Sequence, residues 1–537
     1  MRGESVLPLY SRQNGSRSKF WLNYRRLFNY YRSRSKMTRL LFWLMLLSSI
    51  YLVTQAKIDD VQIDEAVVES KIVQSSALIF EGPKNERQRA VVKAFQHAWS
   101  GYKLYAWGHD QLKPVSKSYS DWFDTGLTIV DSIDTAIIMG LEKEVAEGTE
   151  WIRDKLSFEH DRFVNLFEVT IRVLGGLLTS FHLTGDKMFA EKKRKDLGER
   201  LLPAFTHSKS KVPLSDVNLK RRTAKPPQWS SESSLSEITT LQLEFRDLSR
   251  ITGNKTFERI AFEVSEHVHK LGCEDHNGLC GMYLDSGSGK FRPSTTITFG
   301  ARADSYYEYL LKQWVQTGKK IYWLKEDYAN AMKAMEEKLW RHSEPKSLWF
   351  VGELINGQTY SPKMDHLVCF LAGTLALGKI NGFPDSHLDM AEKLAETCQN
   401  MYINPSGLGP EIAHFNMLPG SKDDLYVKPL DAHCLLRPEA IEAWFYLYRI
   451  TGDKKYQEWG WSAFKAIEQH ARIATGGYSS VNNVKRLPVT YRDLMESFYL
   501  AETLKYLYLL FEDDQKTLPF DQWVFNTEAH PLPIYDH

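Results

Sequence analysis

The chain is predicted to be all-α: an (α/α) barrel built from helical hairpins. A five-residue phrase recurs as Leu183-Thr184-Gly185-Asp186-Lys187, Ile251-Thr252-Gly253-Asn254-Lys255, Gln316-Thr317-Gly318-Lys319-Lys320 and Ile450-Thr451-Gly452-Asp453-Lys454. Each copy closes a long apolar run and precedes an aromatic residue (Phe189, Phe257, Tyr322, Tyr456) that opens a more amphipathic one. Glycine at that place is a helix C-cap and turn signal. The threonines are 68, 65 and 134 residues apart, the last being twice 67, and Leu377-Gly378-Lys379 sits near the vacant place. A period this long marks repeated helical hairpins, about seven of them over the roughly 450 residues that show it. The two helices of a hairpin also differ. Residues 164–181, 367–377 and 499–511 are apolar nearly all round, so they should be buried on every side, whereas 187–202 and 326–339 carry a charged face. An inner ring wrapped by an outer ring covers the apolar helices; an open solenoid would leave them exposed.

Taken in order, residues 1–39 carry ten Lys and Arg against the single acid Glu4. Residues 40–56 are apolar, short for a bilayer but sufficient for a thin one. No small-residue cleavage site follows, so a removable signal peptide is not expected. The downstream flank holds Asp59, Asp60, Asp64 and Glu65, and this asymmetry predicts a single-pass type II anchor with a cytosolic N-terminus. Residues 57–83 form a polar stem, and 84–537 the helical domain. The chain's net charge of +1 rests on the basic tail; the remainder is acidic, which argues against a nucleic-acid partner. The tail serves as an orientation signal rather than as a lipid-binding site.

All five cysteines lie beyond the anchor, where an oxidising compartment favours disulfides, and no C-x-x-C pair suggests zinc. Cys273 and Cys280 bracket a polar loop and can close it; Cys369 and Cys398 can join two helical regions, leaving Cys434 over. The sequence leaves that connectivity open. Asn254-Lys255-Thr256 is a glycosylation sequon in a predicted turn, while Asn404 is blocked by Pro405 and Asn14 lies on the cytosolic side. Residues 208–227 show no helix signal and are expected to form a surface loop.

Polar residues interrupt the apolar helices. Glu168 and Arg172 share a face at i and i+4, which fits a structural ion pair as well as a site. Asp304 or Ser305 looks like an N-cap. Pro438 stands at a first helical position with Glu439 in the first turn, where the helix dipole keeps a carboxylate ionised, and Glu442 follows one turn on. Phe498 and Glu502 share a face, and His366 and Glu411 flank further apolar segments. Carboxylates at corresponding ends of several inner helices would converge, and burying each without a partner costs several kcal/mol, so convergence points to a site. Two acids in different environments suit glycoside hydrolysis, one protonating the leaving group and one activating water. The terminal segment 523–531 runs from an apolar triplet into Asn526, Thr527, Glu528 and His530; it reads either as a strand closing a sheet edge or as a plug carrying Thr527 into the barrel. Oxygen ligands among carboxylates suit a hard cation such as calcium.

Assembled, these stretches resemble the class I α-1,2-mannosidases of glycoside hydrolase family 47. The supporting motifs are residues 95–102, 127–135, 167–176, 300–309, 436–439 and 526–531. The resemblance implies an (α/α)7 barrel, inversion at the anomeric carbon, and Ca2+ held by the carbonyl and hydroxyl of Thr527 with Glu528 in its water shell. It implies Glu168 as general acid, acting through a water, Glu439 as base and Asp304 as a partner in proton handling. Mid-helix apolar surroundings would raise the Glu168 pKa, and a helix N-terminus would lower that of Glu439. Arg172, His366, Arg437, Glu442, Phe498 and Glu502 match sugar-pocket positions, and Cys369 and Cys398 the family disulfide. Arg302 resembles the arginine of endoplasmic-reticulum members that trim one mannose from the nine-mannose glycan. The substrates implied are high-mannose N-glycans on glycoproteins, in the endoplasmic reticulum or else the Golgi; oligomeric state is left open. The rivals are a mannose-recognising lectin on the same barrel, a purely structural helical scaffold, and a glucose-specific hydrolase on a related barrel.

Overall fold

A computed structural model describes residues 77–535 apart from 190–194, 228–229 and 274–275, together with a few positions between 35 and 48. The predicted tail, anchor and most of the stem lie outside the described residues. Glu69–His537 make one compact unit, which holds the whole helical domain.

Its main helices are α1 (Glu86–Tyr105), α2 (Leu127–Ile138), α3 (Glu142–Asp154), α4 (Leu166–Thr184), α5 (Lys195–Leu201), α6 (Gln242–Thr252) and α7 (Thr256–Leu271). They continue as α8 (Asp304–Gln316), α9 (Tyr322–Lys338), α10 (His366–Ile380), α11 (Ser386–Met401), α12 (Glu439–Thr451), α13 (Lys455–His470) and α14 (Leu504–Leu510), the last following a π-wound turn, Tyr499–Thr503. The even-numbered helices touch in succession from α2 to α14, and α14 with its π turn returns to α2. The odd-numbered helices back them: α1 on α14, α3 on α2, α5 and α7 on α6, α9 on α8, α11 on α10 and α13 on α12. Burial follows this division. Every residue of α2 is buried, whereas α9 buries only Leu324, Tyr328, Ala331, Met332, Ala334 and Met335. Each fully buried large apolar side chain contributes about 1.5–3 kcal/mol, so the all-round apolar helices are stable only inside. α4 is long and apolar enough to cross a membrane, but 83% of its most apolar window is buried in the protein, which makes it a core helix.

The repeated phrase ends helices as expected. Gly185, Gly253 and Gly452 cap α4, α6 and α12 with φ of 68°, 71° and 71°, a left-handed conformation that side chains disfavour. At the vacant place α10 runs on through Gly378, and the turn glycine is Gly382 at φ 101°.

The expectation of a loop over 208–227 is corrected. β1 (Phe163–Asn165), β2 (Asp216–Asn218) and β3 (Thr223–Lys225) form an antiparallel sheet, with Val212, Leu214, Val217 and Leu219 buried beneath it. A second sheet joins β4 (Lys363–Asp365), β5 (Ile412–Phe415) and β6 (Leu425–Tyr426). The terminal segment is a hairpin: β7 (Trp523–Phe525) pairs with β8 (Pro531–Pro533), so it closes no larger sheet. β7 lies against α8, and β8 against α4 and α6. Disulfides join Cys273 to Cys280 and Cys369 to Cys398, and Cys434 is a buried free thiol.

Candidate active site

The hairpin turn, residues 526–530, is held by side chains from five inner helices. The Asn526 amide donates to the Ile171 carbonyl (3.0 Å) and to Glu244 (2.8 Å), and its oxygen accepts the N–H groups of Glu528 and His530. His530 lies between Asp131 (3.2 Å) and Asp134 (3.0 Å) of α2. Lys505 of α14 donates to Asp134 (2.6 Å) and to the Ala529 carbonyl (2.8 Å). All four side chains are fully buried, so each charge depends on its partner. Burial alone would lower the His530 pKa, but Asp134 and Asp131 outweigh it and raise it. α4 can approach this turn because residue 175 is glycine: a Cβ there would lie 2.9 Å from both the Asn526 amide nitrogen and a His530 ring carbon.

Arg172 joins the turn to the acids of the site. It donates to Glu168 at 2.8 Å, bonds Glu528, and stands 3.6 Å from Asp131. Phe498 has two guanidinium groups within cation–π range, Arg172 at 5.8 Å and Arg437 at 5.6 Å from the ring centre. Arg437 also donates to Glu411 at 2.6 Å. The expected mid-helix setting of Glu168 is corrected: it stands in the first turn of α4, its N–H capped by the Asn165 side chain at 3.0 Å, and its carboxylate is partly open to solvent. The helix starts late because β1 occupies residues 163–165.

Glu439 is the first residue of α12, with Pro438 as its N-cap, one place later than expected. Burial pushes its carboxyl up, but the His366 hydrogen bond at 2.8 Å and the Arg437 charge bring it below the ordinary value. Asp304 is likewise a first helical residue rather than an N-cap; it accepts the Ser236 hydroxyl at 2.7 Å and the Ser305 N–H at 2.9 Å. Burial, with the charges of Glu308 and Glu439, raises it to about 7 despite those bonds. The two carboxyls are thus pushed apart, one ionised and one able to carry a proton at neutrality.

Thr527 is partly open, and its hydroxyl donates to Glu308 at 2.8 Å. Glu308 also bonds Lys312, which stands 3.9 Å from Glu442. Burial and the surrounding carboxylates push Glu442, Glu502 and Glu528 upward. Glu502 and Glu528 touch each other directly. Among the described residues no three His, Cys, Asp or Glu side chains are placed to hold a metal ion together.

Glu168, Arg172, Asp304, His366, Arg437, Glu439, Glu442, Phe498, Glu502, Thr527 and Glu528 therefore form one linked cluster. Arg302 stands outside it, exposed at φ 81° with its guanidinium over Tyr283, two residues before Asp304. Asn254 lies in the turn between α6 and α7, remote from the cluster by sequence and by bonding. Sequence reasoning missed Ser236, Glu308, Lys312 and Lys505, and also Glu496, a half-buried acid held by Gln111 at 2.7 Å and facing Arg172 and Arg437. A lysine inside the apolar run 499–511 was the available signal.

The family model of glycosyl hydrolase family 47 matches residues 94–534. The endoplasmic reticulum mannosyl-oligosaccharide 1,2-alpha-mannosidase of Homo sapiens is 54% identical over 455 residues, covering 84% of this chain and 64% of that protein. The Mus musculus protein of the same name is 52% identical over 474 residues, covering 88% and 71%. The solved structure of an alpha-1,2-mannosidase from Trichoderma reesei aligns with a TM-score of 0.77 at 30% identity, over 84% of this chain and 100% of that one.

Proposed function

The chain belongs to glycosyl hydrolase family 47, and on that premise we propose that it is a mannosyl-oligosaccharide 1,2-α-mannosidase. It removes a terminal α-1,2-linked mannose from the nine-mannose N-glycan Man9GlcNAc2 to give an eight-mannose isomer, with inversion and with calcium. The observation that carries the reading is the pair Glu439 and Asp304 within one cluster, the first lowered against burial by His366 and Arg437 and the second raised by burial to about 7. The circuit of inner helices supports an (α/α)7 barrel with the terminal hairpin as its plug. The names of the relatives support the endoplasmic reticulum as its place, with the Golgi as the alternative, and the charge pattern of residues 1–65 supports a type II anchor. The lectin alternative is not favoured, because a binding site alone does not need an acid and a base tuned apart.

In this mechanism Glu439, ionised by His366 and Arg437, takes a proton from the attacking water. Glu168 delivers a proton through a water to the departing oxygen, and Asp304 keeps a proton available at neutral pH. Arg172 and Arg437 hold Phe498 as an apolar face for the sugar ring, and Arg302, exposed two residues before Asp304, selects the branch. The donor set around Thr527 fits a hard cation: Thr527 and the neighbouring carboxylates offer oxygen ligands, and Glu502 and Glu528 are raised by burial and by surrounding carboxylate charge, as expected where a cation belongs. Thr527 would hold calcium directly and Glu528 its water shell. Bound there, calcium supplies fixed positive charge and coordination sites for sugar hydroxyls.

Activity requires Glu439 ionised and Asp304 protonated, so kcat/KM should rise with pH through the lowered Glu439 pKa and fall again as pH passes about 7. In residual activity of Asp304→Asn the alkaline limb should be absent; an unchanged limb would remove Asp304 from proton handling. A calcium chelator should lower both activity and the melting temperature of the unaltered chain, whereas Thr527→Ala should start at the lower melting temperature and respond little to chelator. Equal responses of the two proteins would remove Thr527 as the ligand. The function itself is tested by incubating the full chain with Man9GlcNAc2 and following mannose release; binding without release would replace the enzyme with the lectin.

A further inference from the structure

Glu439 is one end of a three-residue chain. Its carboxylate lies 2.8 Å from Nδ1 of His366, and the opposite ring nitrogen, Nε2, lies 2.8 Å from the hydroxyl of Tyr402. An ionised carboxylate only accepts hydrogen bonds, so Nδ1 carries a proton. In the neutral ring Nε2 then accepts, and Tyr402 must donate. Burial holds the phenolic proton in place by raising the Tyr402 pKa well above its ordinary value. Among the described residues the Tyr402 hydroxyl makes no other hydrogen bond, so the reverse arrangement, Nε2–H donating to Tyr402, would leave the phenolic proton unused.

The fold fixes this contact from three sides. Tyr402 is the C-cap of α11, and Cys398, one turn earlier, is bonded to Cys369, the last residue of the 3-10 turn that His366 opens. The disulfide, with Cα atoms 6.0 Å apart, therefore joins the two segments one turn from the hydroxyl and from the imidazole. The Tyr402 ring packs against Trp444 of α12, the helix that carries Glu439, with ring centres 5.5 Å apart. On another side only glycine is tolerated: a Cβ on Gly409 would lie 2.8 Å from the ring carbon that bears the hydroxyl and 3.0 Å from the hydroxyl oxygen.

We propose that Tyr402 is a positioning residue for the proton acceptor Glu439: by donating to Nε2 it locks His366 in the tautomer that aims Nδ1–H at the carboxylate. This rests on the assignment of Glu439 as the base. Without the hydroxyl, the ring proton is free to move to Nε2. Nδ1 then faces Glu439 as an acceptor, a geometry that favours the protonated and inactive carboxyl. Arg437, Asp304, Glu442 and Glu502 also act on Glu439, and Glu411 and Cys434 on Tyr402; Tyr402→Phe leaves all of them in place.

The test is the pH dependence of kcat and KM for the full chain and for Tyr402→Phe. The variant should bind substrate with little change in KM and lose roughly threefold to tenfold in kcat, the loss of one hydrogen bond. Its acid limb should move to higher pH by roughly half a unit. Gly409→Ala, which keeps the hydroxyl but displaces the ring, should move the limb the same way. Profiles that superimpose on the unaltered enzyme's, or that differ only by a constant factor, would overturn the inference while leaving the mannosidase reading intact. Inactivity of the unaltered chain would overturn both.

Discussion

Glu439→Gln is expected to lower kcat by about a hundredfold or more, the usual contribution of a positioned general base. The amide keeps the shape and can still face His366, but it takes no proton from water. KM, the melting temperature and its response to calcium should stay near those of the unaltered chain, which separates a chemical loss from a structural one. Turnover within about twofold of normal would remove Glu439 from the role of base.

Lys505→Ala should have the largest effect on stability. Lys505 and Asp134 are both fully buried and 2.6 Å apart, and Lys505 also holds the Ala529 carbonyl of the hairpin turn. Removing one partner of a buried pair leaves an uncompensated charge and costs about 3–5 kcal/mol. His530 still faces Asp134, so a second change, Asp134→Asn, should recover part of the loss. Because the same turn carries Thr527, calcium binding should weaken along with stability. The check is the denaturant midpoint of the single and double variants, with and without calcium. An unshifted midpoint in Lys505→Ala would show that the hairpin is not anchored through this pair.

The hairpin repeat was legible in the sequence because its signals are local: a capping glycine, an apolar run and a following aromatic within a few residues. The pairing of Glu168 with Arg172 was legible for the same reason, being set by one helical turn. The position of Glu168 within its helix was not. It depends on β1, which exists only because β2, some fifty residues later, pairs with it, and residues 208–227 hide their buried alternation among lysines, serines and prolines. The anchoring of the terminal hairpin was hidden by distance, since Lys505 and Asp134 are 371 positions apart and His530 and Asp131 are 399. Each shows in the sequence only as a polar residue inside a buried helix or beside a turn. Asp304 was visible as a helix-start acid, but its raised pKa comes from burial, from Glu308 one turn on in the same helix and from Glu439 on another helix, and neither the burial nor the contact between helices is encoded in a local pattern.

Inverting hydrolysis by Glu439 is tested most directly by proton NMR of the full chain acting on Man9GlcNAc2 in the presence of calcium, recorded before the released sugar mutarotates. One α-1,2-linked mannose signal should be lost and β-mannose, the inverted anomer, should appear first, in the unaltered chain and not in Glu439→Gln. First appearance of α-mannose, or an unchanged glycan, would contradict it.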